Sequence, residues 1–307
     1  MKELFNVIIP VAYKDYTFLP RTIKYLEENI SPQKIYVLAD TKLRAFLPNS
    51  IKKNKIIHII DENSVINGLS YASVKQYLMK HDAQTNRTGW FLQQFLKMGF
   101  ANSSLCDTEY YLSWDADTIP LKRLHFMGGG KPVFTIKWER NQPYFDTLSK
   151  LFRFPEEAPY SFIAEHMLFN KTIMQELLSN IESNNALPGE NWIEKIIFAT
   201  NPNEINSFSE FETYGNYCYN NYPNLYATQT LNTFRKAGYI NGRFISDRKL
   251  HYMAFDLDIA SFELGDYPSG LGKYICYAYR KWLVIKEYII KQFYIRNDDK
   301  KNKKRRI

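Results

Sequence analysis

The chain opens on an unbroken run of apolar positions, residues 4–11, interrupted only at Asn6 and Pro10 and followed by the polar stretch 12–17. Such a run predicts a strand buried on both faces. An amphipathic pattern then predicts a helix over residues 19–29. The strand pattern returns at 34–40 and at 56–61, and each run closes on an acidic residue, Asp40 and Asp61. Helical spacing follows at 69–80 and 89–101, and an aromatic strand at 110–114. Alternation of apolar strands with helices predicts an α/β fold, a Rossmann-like, mostly parallel sheet flanked by helices. In such sheets ligands sit beyond the carboxyl ends of the strands. Pro10, Ala12, Tyr13, Asp15 and Asp40 therefore fall on one rim, where Asp40 and Asp61 can equally be plain loop starts or helix caps.

The strand at 110–114 runs directly into Asp115-Ala116-Asp117-Thr118. Alternate residues of an extended chain point the same way, so both carboxylates can approach one centre. Hard divalent cations such as Mg2+ and Mn2+ take oxygen ligands, often one or two carboxylates plus substrate phosphates. Roughly 0.6 chance occurrences of D-x-D are expected in a chain of this composition, so context has to decide. A second instance, Asp256-Leu257-Asp258, lacks an equally clear preceding strand and reads as a chance match. Ahead of the first motif, Arg87 precedes a helix that carries Gln94 and Lys97. A cation beside a helix N-terminus suits a phosphate, and a solvated face is the simpler reading of Lys97.

At these two blocks, residues 89–97 and 111–118, the chain resembles the GT-A glycosyltransferases of bacterial surface-polysaccharide clusters, of the lipopolysaccharide and capsule type. The resemblance spans about residues 5–260 and is loose outside the two blocks. It implies transfer of a sugar from a nucleotide sugar, with UDP as the family's commonest donor nucleotide, to a hydroxyl of a glycan or lipid-linked acceptor. It implies that Asp115 and Asp117 hold Mn2+ or Mg2+ and the donor diphosphate. It further implies that Pro10, Ala12, Tyr13, Asp15 and Asp40 lie along the nucleoside, with Arg87, Gln94, Lys97, Trp114 and Ala116 also on the donor side.

The same family pattern asks for an acidic residue at a helix start and a late histidine on the metal. Ser207 or Ser209 can cap a short helix carrying Glu210 and Glu212 in its first turn. Positions two apart on a helix do not share a face. Glu212 is taken as the general base of an inverting transfer and Glu210 as an acceptor ligand. The alternative is that both merely favour the helix dipole. Glu165 and His166 form an adjacent polar pair in an apolar segment and are expected to grip the acceptor unless they satisfy each other in the core. His251 is the candidate third metal ligand.

Composition alters the picture at the C-terminus. The net charge of +8 is not evenly spread: from residue 271 onward 12 Lys and Arg face 3 Asp and Glu. A nucleic-acid binder spreads such charge over a folded face, so no nucleic-acid partner is expected. A basic, aromatic helix with a polybasic end suits an anionic membrane surface. The expected organisation is a catalytic domain over residues 1–262, with nucleotide-binding and acceptor halves meeting near residue 130. A membrane-associating tail would then fill 263–307. The protein is expected to be cytoplasmic and peripheral on the inner face of the plasma membrane, since no signal peptide or spanning segment is read. Three separated cysteines, Cys106, Cys218 and Cys276, argue against a disulfide framework. Two other readings compete. A sugar-nucleotide nucleotidyltransferase would show a glycine- and base-rich loop after the first strand, where 12–17 holds no glycine. A non-catalytic, membrane-associated glycan-binding protein would leave the placement of Asp115 and Asp117 unexplained.

Overall fold

The computed structural model describes residues 5–43, 47–243 and 245–263, with scattered positions between 271 and 289. Its centre is a five-stranded sheet in the order β3-β2-β1-β4-β8. The strands are β1 (Asn6–Pro10), β2 (Ile35–Ala39), β3 (Ile57–Asp61), β4 (Tyr110–Trp114) and β8 (His166–Asn170). The first four run parallel, and β8 lies antiparallel to β4, pairing Trp114 with His166. β1, β2 and β8 are buried along their whole length. That is why their sequences are continuous apolar runs rather than alternating ones. The mostly parallel α/β architecture expected from the sequence is the one observed.

Helices α1 (Leu19–Asn29), α2 (Asn49–Lys52), α3 (Tyr71–Lys80) and α4 (Thr88–Gly99) connect these strands. Two apolar cores result. One lies under α3 and α4 and reaches across to α6 (Lys171–Ser183), α7 (Trp192–Ala199) and α8 (Glu210–Asn221); the other lies under α1. Helix α5 (Gln142–Leu151) completes the first core through Leu151, and its Leu148 is also buried.

Two small sheets extend the carboxyl side of β4. β5 (Thr118–Pro120) pairs with β11 (Ile259–Ser261), which pairs with β10 (Thr233–Phe234). β6 (Met127–Gly128) pairs with β7 (Lys131–Thr135), which pairs with β9 (Ala227–Gln229). The short helices α9 (Ala237–Asn241) and α10 (Asp247–Met253) follow. The β10-β11-β5 sheet has its own apolar cluster, including Ile119, Ala260 and Phe262. Among the described residues no helix is long and apolar enough to cross a membrane. Cys106 and Cys218 are buried free thiols. The polybasic end of the expected tail, and Cys276, lie outside the described residues; the positions described between 271 and 289 are helical and exposed.

Candidate active site

The Asp115–Asp117 segment is a turn, not an extension of β4. The Thr118 N–H donates to the Asp115 carbonyl at 3.1 Å, and the chain re-enters a strand at Thr118. The two carboxylates are close enough for the charge of Asp115 to act on Asp117, but the turn brings them together rather than the strand pleat. Trp114 is wholly buried and donates its indole N–H to the Thr118 carbonyl at 2.8 Å. Ala116 is buried, and its carbonyl accepts from Thr22 on α1 at 2.6 Å. Both residues clamp the turn from the protein side.

The two aspartates differ in environment. Lys97, in the last turn of α4, places its ammonium 2.6 Å from Asp115 Oδ1 and 2.6 Å from Glu210 Oε1. Burial alone would lower the Lys97 pKa; the two carboxylates more than reverse this and hold it above its usual value. Lys97 also sits 4.4 Å from the centre of the Phe211 ring. It is therefore an internal cation that pins Asp115 and joins α4 to α8. Asp117 has no such partner: its carboxylate accepts no hydrogen bond among the described residues. Burial, and then the carboxylates of Asp15, Asp115 and Glu263, push it up to about 8. Asp15 itself is ion-paired to Arg243 at 2.5 Å.

Two cavities open among the described residues, and residues 115–117 line neither. The first, about 540 Å³, opens above the ends of β1, β2 and β3 and is lined by Pro10, Ala12, Tyr13, Asp40, Glu62 and Tyr71 among others. Burial, together with Asp40 and Asp61, raises Glu62 to about 7. The second, about 1170 Å³, is lined by Lys137, Trp138, Phe234, Arg235, Lys236 and Glu263 among others. It is tied to the turn twice. Glu165 accepts from Arg235 Nε at 2.9 Å and from Lys137 Nζ at 2.9 and 3.0 Å, and its carbonyl accepts the Asp115 N–H at 3.1 Å. Next to Glu263, the Phe262 N–H donates to the Asp117 carbonyl at 2.8 Å. Glu165 makes these bonds in a left-handed conformation, φ 61°, a strained geometry for a non-glycine residue that persists only where its surroundings hold it.

Of the residues singled out from sequence, Pro10, Ala12, Tyr13 and Asp40 line the first cavity. Asp115, Lys97 and Glu210 form one buried ion cluster, and Gln94 accepts the Glu210 N–H at 3.3 Å. Arg87 lies apart, stacked over Trp90 and donating to Asn206. Glu212 is enclosed: its carboxylate accepts from Ser161 Oγ at 2.8 Å, the Phe162 N–H at 3.1 Å and Asn216 at 3.2 Å. The Glu-His pair divides, because Glu165 ends a turn while His166 begins β8. His166 is buried against the Trp114 ring, 5.1 Å between centres, and bonded to Thr135. His251 is exposed on α10, where it meets Phe255 edge-on. Asp258 of the second D-x-D pairs with Lys122 and accepts the Asn232 N–H, a structural role. Reading by motif missed Lys137 and Glu263 and could not select Arg235 from its neighbours Lys236 and Arg243, because isolated charges far apart in sequence carry no spacing signal.

The donor set at the turn is carboxylate oxygen. Among the described residues no three His, Cys, Asp or Glu side chains gather to hold a metal by themselves. An unsatisfied Asp117 carboxylate amid three others is the electrostatic setting that a hard divalent cation would relieve. Asp115 and Asp117 fit such an ion as a partial shell, completed by phosphate oxygens or water.

A family described as one of unknown function, DUF6492, matches residues 22–244. No curated protein matches the chain. Among solved structures, the galactosyltransferase LgtC in complex with donor and acceptor sugar analogs is 12% identical, over 84% of this chain and 87% of that one, with a TM-score of 0.42. Mouse xyloside xylosyltransferase 1 is 11% identical over 87% and 99%, TM-score 0.42. The glycosyltransferase GlyE of Streptococcus pneumoniae TIGR4 is 14% identical over 94% and 64%, TM-score 0.42. Likenesses this distant assign no activity, so the chemistry has to be argued from the site.

Proposed function

This chain belongs to the DUF6492 family, and from the geometry of its own site we propose that it is a metal-dependent glycosyltransferase. It would move a sugar from a nucleotide-diphosphate sugar, with UDP the first nucleotide to test, to a hydroxyl of a surface glycan or its lipid-linked precursor. One observation carries the reading: a two-carboxylate turn follows the central strand and is hydrogen-bonded to Glu165 and Phe262, beside the cavity lined by Lys137, Arg235 and Glu263.

The first cavity is of a size and lining for a nucleotide, within the range of about 300–1,000 Å³ usual for small-molecule sites. Asp40 at its rim is an acceptor for ribose hydroxyls, and Tyr13 and Tyr71 offer ring faces at its mouth. Asp115 and Asp117 would hold Mn2+ or Mg2+, which when bound supplies Lewis-acid neutralisation of charge on the leaving diphosphate. Lys97 fixes Asp115 in place, so its carboxylate needs no rearrangement as substrate arrives. Inversion requires a carboxylate bordering the acceptor cavity. Glu263 lines it and acts on Asp117, whereas Glu212 is held by Ser161, Phe162 and Asn216. The proton of the acceptor hydroxyl is therefore assigned to Glu263, and Glu212 to fixing the segment that carries Phe162.

The test is turnover of UDP-sugars with Mn2+, followed as release of UDP. Wild type should release UDP from at least one of them, and Asp117→Asn should lose most of that activity, about 100-fold or more. Glu263→Gln should slow transfer with little change in donor KM. Release of UDP by Asp117→Asn at the wild-type rate, or by neither protein, would remove the proposal. Attachment to an anionic inner-membrane surface through the basic C-terminus is a further part of it, supported by the charge asymmetry of the sequence.

A further inference from the structure

The second cavity has a feature that catalysis at Asp117 does not explain. Trp138 is 74% exposed, although it is among the largest apolar side chains of the protein. Its ring touches Tyr160 at 6.5 Å, edge to face. That contact leaves the ring uncovered. Single exposed apolar residues are common and need no purpose. Trp138 differs because it stands in the wall of a cavity whose other walls hold pre-set polar groups.

Those groups are held by ion pairs rather than left mobile. Arg235 is tied through Nε to Glu165 at 2.9 Å and through a terminal nitrogen to Glu263 at 3.2 Å. Lys137 is tied to the same Glu165. The backbone under them is sheet: Phe234 pairs with Ala260 on β11, and Ser261 pairs with Thr118 beside the aspartate turn. The Ile136 N–H, two residues before Trp138, donates to the Gln229 carbonyl at the end of β9. Side chains ordered by ion pairs beside rigid strands lose little entropy when a ligand binds.

A pyranose ring has one apolar C–H face and a rim of hydroxyls. The apolar face suits an aromatic ring, and the rim suits planar, oriented donors and acceptors such as guanidinium and carboxylate. We infer that the cavity walled by Trp138, Phe234, Arg235, Lys236 and Glu263 is a pyranoside-binding subsite, with Trp138 as its stacking platform. Its volume of about 1170 Å³ is above the usual small-molecule range of about 300–1,000 Å³, which favours an oligosaccharide over one sugar. This subsite deepens the transferase reading by naming the acceptor class and its grip, and it rests on that reading only for the word acceptor.

Saturation-transfer NMR tests it on the full chain without any nucleotide. The probes are methyl α- and β-pyranosides of glucose, galactose, mannose and N-acetylglucosamine. At least one should receive saturation, strongest on the ring C–H protons of one face. Trp138→Ala should weaken its apparent affinity about tenfold, and Trp138→Phe should recover part of the loss. The side chain is exposed, so both variants are expected to keep the wild-type circular dichroism. Silence from every pyranoside, or equal affinity in wild type and Trp138→Ala, overturns the subsite. Release of UDP from donor sugar, measured in parallel, separates the two ideas. Turnover without pyranoside binding sinks the subsite alone, and pyranoside binding without turnover upholds it while sinking the transferase.

Discussion

At the scale of single residues, the site depends on charges made internal. Lys97 reads in sequence as a polar position on an otherwise apolar helix, and a solvated face is the ordinary expectation for it. The structure puts it inside, because Asp115 and Glu210 arrive from β4 and α8 to neutralise it; a buried ammonium without such partners would be untenable. His166 is the opposite case, a titratable group kept neutral. Enclosure against Trp114 and Phe126, with Lys137 nearby, holds its pKa down at about 3, against about 6.5 in an unfolded chain. Its folded-state value is depressed, so the unfolded chain binds the proton more readily. The stability due to neutral His166 is then fully present above about pH 6.5 and lost as pH falls from there towards 3, by up to about 1.4 kcal/mol per pH unit. Urea midpoints between pH 7 and 5 should therefore fall more steeply for wild type than for His166→Phe; parallel slopes would count against a buried neutral imidazole.

At the scale of elements, the same residues acquire roles from where a helix starts. Ser209 caps α8, its hydroxyl accepting the Glu212 N–H at 3.2 Å, as the Ser-x-x-Glu spacing suggests. The cap fixes the rotation of the first turn. Glu210 then faces Lys97 on α4, and Glu212 faces Ser161 and Phe162 on the opposite flank. That the two glutamates part was legible in sequence; which of them meets the aspartate turn was not, because it depends on the crossing of α4 and α8. The same helix approaches the Phe162 segment so closely that a Cβ at Gly215 would lie 2.2 Å from the Phe162 ring. Gly215→Ala gains about 1 kcal/mol of helix propensity but forces the ring or the helix to move. A net loss of about 1–3 kcal/mol is expected from overpacking, read as a lower urea midpoint. An unchanged or raised midpoint would show that the ring yields freely.

At the scale of the whole molecule, charge is segregated. The net charge of +8 resides in the C-terminal 37 residues, and the rest of the chain is nearly neutral. Anionic lipid attracts a basic residue near its surface by about 1 kcal/mol, so the proposed membrane attachment would rest mainly on the polybasic end. Replacing Lys300, Lys301, Lys303, Lys304, Arg305 and Arg306 by Gln in the full chain should lower co-sedimentation with phosphatidylserine vesicles at least tenfold. Equal sedimentation of the two proteins would place membrane contact elsewhere or dismiss it.

The sequence by itself determined the strands β1 to β4, the helices α1, α3 and α4, and the aspartates that follow β4. Each of these is written in local periodicity or in adjacent residues, and a buried parallel strand has to be apolar throughout. It also marked Pro10, Ala12, Tyr13 and Asp40 as rim residues, since chain order alone places strand ends on one side of a parallel sheet. Only the tertiary structure decided that Asp115 and Asp117 meet through a turn, that Lys97 is interior, and that Glu165, Arg235, Lys137 and Glu263 close around the motif. Those residues come from separate elements joined by ion pairs and by strand pairing across as many as 143 positions, from Thr118 to Ser261. The free energy that unites them is a property of the packed state, and no local pattern carries it.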